Sequence, residues 1–154
     1  MTDQAPVGAR TAARRRALDL LYEADVLERP LEAVLAGHLA APDAESGPLD
    51  SYTVELVRGV AALHDDLDRH IGAAAEHWTV ERMPLVDRNV LRLATYELVA
   101  RREVPTAVVL DEAIELAKLL STADSGRFVN GVLGHIARDV RPAAGDERPA
   151  APEA

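Results

Sequence analysis

Cysteine is absent from this chain of 154 residues. That removes disulfide frameworks, thiolate zinc, iron–sulfur clusters and cysteine nucleophiles. Aromatic side chains are scarce, at 3%, so the core has to be aliphatic, built from Leu, Val, Ile and Ala. No apolar run approaches the roughly 20 residues of a membrane span, and no signal-peptide stretch opens the chain. These absences point to a cytoplasmic protein without a membrane partner. Glycine motifs are missing too. There is no G-x-x-x-x-G-K to cradle phosphates, no G-x-G for a dinucleotide and no G-x-S-x-G for a serine hydrolase. None of the five histidines follows a Glu by three residues, the spacing a di-iron bundle needs. His64, His70 and His77 read as surface residues, and Asp65, Asp66 and Asp68 as the solvated face of the same helix. No catalytic group, metal or cofactor is implied.

What is present is charge of uneven sign. The chain holds 17 Lys+Arg against 26 Asp+Glu, a net charge of -9. Residues 1–16 carry four Arg (Arg10, Arg14, Arg15, Arg16) and one acid, a local sum of +3; the remaining 13 basic and 25 acidic residues sum to -12. A basic head on an acidic body fits either a local polyanion site or a solvated arginine arm.

Apolar periodicity is helical throughout. Residues 1–9 read as a flexible tail. A first helix runs from about Arg10 to Leu27, with Ala17, Leu20, Leu21, Ala24 and Leu27 on one face and Pro30 ending it. A short helix fits 31–40, and 41–48 has loop chemistry. A long helix spans about 50–77, with Leu56, Val60, Leu63, Leu67 and Ile71 on its stripe. Trp78 and Thr79 mark a break. Further stripes run through Val86–Leu98, Leu110–Leu120 and Val129–Val140. Pro105 stops the first of these and Thr106 can cap the next; Asp124 or Ser125 can cap the last. Residues 141–154, rich in Pro, Ala and charge, read as a disordered tail. The expected fold is all-α, a single helical domain of six or seven helices over residues 10–140.

Three patterns stand out. The first is the Arg cluster leading into Leu21-Tyr22. The second is Leu85-Val86-Asp87-Arg88-Asn89-Val90-Leu91-Arg92-Leu93-Ala94-Thr95-Tyr96-Glu97-Leu98. The third is Asp111-Glu112-Ala113-Ile114-Glu115-Leu116-Ala117-Lys118 followed by Asp124-Ser125-Gly126-Arg127-Phe128-Val129-Asn130-Gly131-Val132-Leu133. Together with Tyr52…Leu56-Val57-x-Gly59-Val60 they make the chain, over residues 10–138, resemble the NusB family of bacterial transcription antitermination factors. The resemblance implies two packed helical halves. It also implies binding to the boxA segment of nascent ribosomal RNA together with the tenth small-subunit ribosomal protein, NusE, in a complex with elongating RNA polymerase. Monomer and homodimer both remain open.

Residue by residue, the resemblance places Arg10 and Arg14 on a helix face turned to RNA, with Arg15 and Arg16 as added positive charge. Tyr22 matches the tyrosine ending that motif. Asp124 and Phe128 match positions that contact bases, and Arg127 a basic position. Asp87, with Arg88, falls at the edge of the RNA and protein-partner surface. Structural readings stand beside these. Phe128, the chain's one phenylalanine, is either a core side chain or a ring on which a base stacks. Tyr22 and Tyr96 read as half-buried aromatics. Asn130 and Gly131 suit close helix packing.

Two other function classes compete with this reading. NusB-like domains precede some ribosomal RNA cytosine methyltransferases, but the Cys nucleophile is missing and the chain leaves no room for a second domain. A helical protein-interaction adaptor without specific RNA binding is the alternative to an RNA-binding module.

Overall fold

Each apolar stripe becomes a helix. The computed structural model describes residues 7–142. Its elements are α1 (Val7–Leu27), α2 (Leu31–Ala40), α3 (Ser51–Ala74), a 3-10 turn (Val80–Arg82), α4 (Leu85–Ala100), α5 (Thr106–Leu120) and α6 (Ala123–Val140). Among the described residues no strand occurs; an isolated bridge pairs Asp43 with Gly47 in the α2–α3 loop. The run Val108-Val109-Leu110 lies inside α5. Within the same residues no helix is long and apolar enough to cross a membrane.

The chain divides into two compact units between Ala62 and Leu63. Leu63 itself departs from helical geometry inside α3 (φ -107°, ψ 15°). In the first unit the buried face of α1 (Ala13, Ala17, Leu18, Leu20, Leu21) joins Val34 and Leu35 of α2 and Leu56, Val57 and Val60 of α3 in the core. The buried Thr53 hydroxyl donates to the Ala13 carbonyl at 3.0 Å, tying α3 to α1. α1 ends before Pro30. Glu28 takes a left-handed conformation (φ 54°), and Arg29 N–H reaches back to the Ala24 carbonyl at 3.0 Å, a C-terminal closure usually made with glycine.

Three prolines start helices rather than stop them. Pro30, Pro84 and Pro105 are the N-cap residues of α2, α4 and α5, with φ of -58°, -54° and -61°. Their fixed φ suits the turn into a helix, and their carbonyls accept the first helical bonds. Pro105 therefore takes the capping position expected of Thr106.

In the second unit α5 and α6 pack on each other and on α4. Residues 89–98 of α4 are buried on every side, so its polar groups need partners. Arg92 finds Asp68 of α3 in a fork, Nε to Oδ1 at 2.8 Å and Nη2 to Oδ2 at 3.0 Å. Asp68 is thus not part of a solvated acidic face.

The two tails differ from the sequence reading inside the described range. Residues 7–9 belong to α1. Arg141 is buried and uses its whole guanidinium. Nε donates to Leu98 O at 3.0 Å, Nη1 to Val104 O at 2.8 Å and Thr106 Oγ1 at 3.0 Å, and Nη2 to Glu97 O and Arg101 O at 3.2 Å each. Four of these acceptors are carbonyls at or after the C-terminal end of α4. In return Arg102 Nη1 donates to the last α6 carbonyl, Val140 O, at 3.0 Å. Each helix end is capped by a cation from the other, the charge its dipole favours. The rest of both expected tails, residues 1–6 and 143–154, lies outside the described residues.

Candidate nucleic-acid interface

The arginine-rich face belongs to α1. The helical period alternates its side chains between the core and the surface, so the four arginines do not share one fate. Arg15 is exposed, and Arg10 and Arg16 are half-buried. Arg14 is 4% exposed and cannot present its charge to a strand in this conformation, contrary to the sequence expectation. Tyr52 faces both side chains: the Arg10 guanidinium lies 3.9 Å from the Tyr52 ring centroid and Arg14 5.8 Å from it. A desolvated ring face attracts a cation strongly enough to hold it. Arg16 Nη2 is buried with no hydrogen-bond partner among the described residues. Tyr22 is 42% exposed, more open than the half-buried aromatic expected, while Tyr96 is buried.

A pocket lies in the second unit, where α6 starts. Its volume is about 180 Å3 and its lining is Trp78, Pro84, Asp87, Asp124, Ser125 and Phe128. Trp78 comes from the break after α3, Pro84 and Asp87 from the start of α4, and the rest from the first two turns of α6. Phe128 is half-buried and meets Trp78 edge to face, with centroids 6.2 Å apart and planes at 66°. Trp78 is exposed by nearly half. The ring of Phe128 is therefore neither a core side chain nor a free one.

Asp87 departs from expectation. It is 4% exposed and turned toward α6, where Ser125 Oγ donates to its Oδ2 at 3.1 Å. Its Oδ1 is buried and has no hydrogen-bond partner among the described residues. Burial pushes the carboxyl above the usual aspartate range, against the opposing pull of Ser125 and Ser121. In the free chain Asp87 is therefore turned inward, not presented on the surface expected of it. Arg88 donates to Glu81 O at 3.3 Å, holding the 3-10 turn.

Thr122, not Asp124 or Ser125, is the N-cap of α6; its side chain accepts from Ser125 N–H at 3.0 Å. That frees Asp124, which is exposed and paired with exposed Arg127 one turn on. Asn130 and Gly131 lie further along α6 and are both exposed. A Cβ on Gly131 would meet nothing within 4 Å, so no neighbouring helix requires that glycine. Gly131→Ala is accordingly expected to raise the unfolding free energy by about 0.5–1 kcal/mol, read from the urea midpoint. A loss of stability would mean that the position is crowded after all.

Trp78 and Arg141 were missed as functional or structural anchors. Trp78 had a signal: it is the chain's one tryptophan and sits in a polar break, where an amphipathic ring suits a binding surface. Among the described residues no group of three or more acidic or histidine side chains is placed to hold a metal ion.

Comparison with known proteins adds the following. The NusB family profile matches residues 11–138. The transcription antitermination protein NusB of Saccharopolyspora erythraea is 53% identical over 132 residues, spanning 85% of this chain and 88% of that protein. The protein of the same name from Acidothermus cellulolyticus is 56% identical over 129 residues, spanning 83% and 86%. The solved NusB of T. maritima superposes with a TM-score of 0.76 at 33% identity, covering 93% of this chain and 99% of that one.

Proposed function

The chain belongs to the NusB family of transcription antitermination factors, which are not enzymes, and on that premise we propose that it binds the boxA segment of nascent ribosomal RNA together with NusE and acts on elongating RNA polymerase. The observation that carries the RNA reading is the open Trp78–Phe128 pair. Half-exposed rings of this kind stack unpaired bases, which single-stranded RNA can splay out. Separately, the exposed Arg15 and half-buried Arg10 and Arg16 supply phosphate contacts that position a strand without reading it. Asp124 and Arg127 stand open at the start of α6 for polar contacts.

For the protein partner, α1 offers exposed apolar side chains. Tyr22 and Val26, one turn apart, are 42% and 49% exposed and offer apolar surface for docking. The body of this chain repels phosphate, since its 13 basic residues from 17 onward face 25 acidic ones. A basic ribosomal protein would offset that repulsion. RNA and NusE should then strengthen each other's binding by a common factor, worth about 1–3 kcal/mol.

The test is a titration of the chain with boxA-like single-stranded RNA, with and without NusE. Tighter RNA binding with NusE present supports the reading. Absence of RNA binding under both conditions leaves the adaptor alternative. A salt series adds resolution. Arg10→Ala with Arg15→Ala should weaken binding to every sequence and flatten the log–log salt slope by roughly 0.7 for each lost phosphate contact. An unchanged slope would make these arginines a solvated arm.

A further inference from the structure

Tyr52 is 4% exposed, which leaves its ring no open face for a base in this conformation. Burial makes it a fixed object instead. It stands in the first turn of α3, where its backbone N–H donates to Asp50 Oδ1 at 2.7 Å. The next residue, Thr53, ties the same turn to the Ala13 carbonyl of α1. The ring is therefore held in register with the arginine-rich part of α1.

What the ring meets there is charge. The Arg10 guanidinium lies 3.9 Å from its centroid and the Arg14 guanidinium 5.8 Å, both inside the roughly 6 Å over which a ring face attracts a cation. The two arginines, one turn apart on α1, differ in exposure: Arg14 is 4% exposed and Arg10 is half-buried. Only Arg10 combines contact with the ring and access to solvent. A contact of this kind uses the charge of the guanidinium, whereas phosphate is gripped by the N–H donors at its edge. Ring and phosphate can thus hold the same group at once.

We propose that Tyr52 is a positioning residue for RNA binding: it holds the Arg10 side chain ready for a phosphate without itself touching the strand. An arginine free in solvent loses its rotamer freedom when it grips a phosphate, and that loss weakens binding. One seated against a ring has given up part of that freedom on folding. The inference rests on the RNA-binding reading above and goes beyond it by giving a buried side chain of α3 a part in the affinity.

The test measures affinity and salt slope for a boxA-like single-stranded RNA, using the full chain with NusE present. Tyr52→Leu should weaken binding about 3- to 10-fold and leave the log–log salt slope unchanged, because Arg10 still reaches the phosphate. Arg10→Ala removes that contact and should flatten the slope. Tyr52→Phe keeps the ring face and should bind within about twofold of the wild type. Combined with Arg10→Ala, Tyr52→Leu should cost nothing further; combined with Arg15→Ala, its cost should persist. A substitution that merely loosened the fold would cost the same in both backgrounds. Unchanged or tighter RNA binding by a folded Tyr52→Leu would overturn the proposal and leave the RNA reading intact. A loss of full size in the Arg10→Ala background would do the same. No RNA binding by the wild type, with or without NusE, would overturn both this inference and the reading beneath it. Should Tyr52→Leu fail to fold, Tyr52→pentafluorophenylalanine takes its place. Its ring has nearly the same shape, but fluorine reverses the charge of the face that Arg10 meets. The same loss is expected, and wild-type affinity in that variant would overturn the proposal.

Discussion

Arg141→Ala is expected to lower the unfolding free energy by about 3–5 kcal/mol. The guanidinium has five N–H groups, and each has an acceptor at 2.8–3.2 Å. Alanine withdraws all five at once. The carbonyls of Leu98, Val104 and Glu97 accept in buried settings; Glu97 O keeps Arg101 N–H and Leu98 O keeps Arg102 Nη1, while a buried group left without a partner costs about 1–3 kcal/mol. Water will reach some of them, which keeps the total below the sum. The capping of the α4 end by a cation is lost as well. Arg141→Lys should recover less than half, because an ammonium cannot reproduce the planar fork. Urea unfolding followed by circular dichroism measures both variants. A change under about 1 kcal/mol for Arg141→Ala would mean that water replaces the side chain freely.

Phe128→Ala is the counterpart on the binding side. Removing a stacking ring costs about 1–3 kcal/mol per base, so RNA affinity should fall roughly 5- to 150-fold. Stability should suffer less than the about 3–5 kcal/mol of a fully buried phenylalanine, because Phe128 is only half-buried and borders a pocket. The partner ring, Trp78, loses its edge-to-face contact, and its emission should shift. A variant that unfolds easily yet binds RNA normally would assign the ring to the core and remove it from recognition.

Helix placement was legible because helical periodicity is local. Residues 31–40 were read as a helix from the spacing of four aliphatic side chains, and α2 spans Leu31–Ala40. What the sequence did not disclose depends on partners far along the chain. Asp68 looks like its neighbours Asp65 and Asp66, and only the approach of Arg92, 24 residues on, distinguishes it. Asp87 reads as a solvated helix start until Ser125, 38 residues on, turns it inward. The same holds for the arginines of α1: in the sequence all four look alike, and only the fold shows Arg14 buried while Arg15 stays exposed. The sequence leaves Phe128 between core and surface, and the structure puts it at the boundary, with Trp78 against one side of it. Gly131 illustrates the opposite error, a glycine credited with a packing role that open space beside it denies.

The position of Arg141 bears on how this chain can be shortened. The family profile ends at residue 138, a natural place to trim. A chain trimmed there would keep the apolar face of α6 and lose the side chain that satisfies the end of α4. Both helix ends would then lose the cation that caps them, on the same side of the second unit, since Arg102 would also lose Val140 O as its acceptor. Such a fragment should show raised hydrogen exchange first in the last turn of α4 and the loop to α5, with the opposite end of α6 still protected. Three residues beyond the recognisable family segment thus separate a tightly closed helix end from a frayed one.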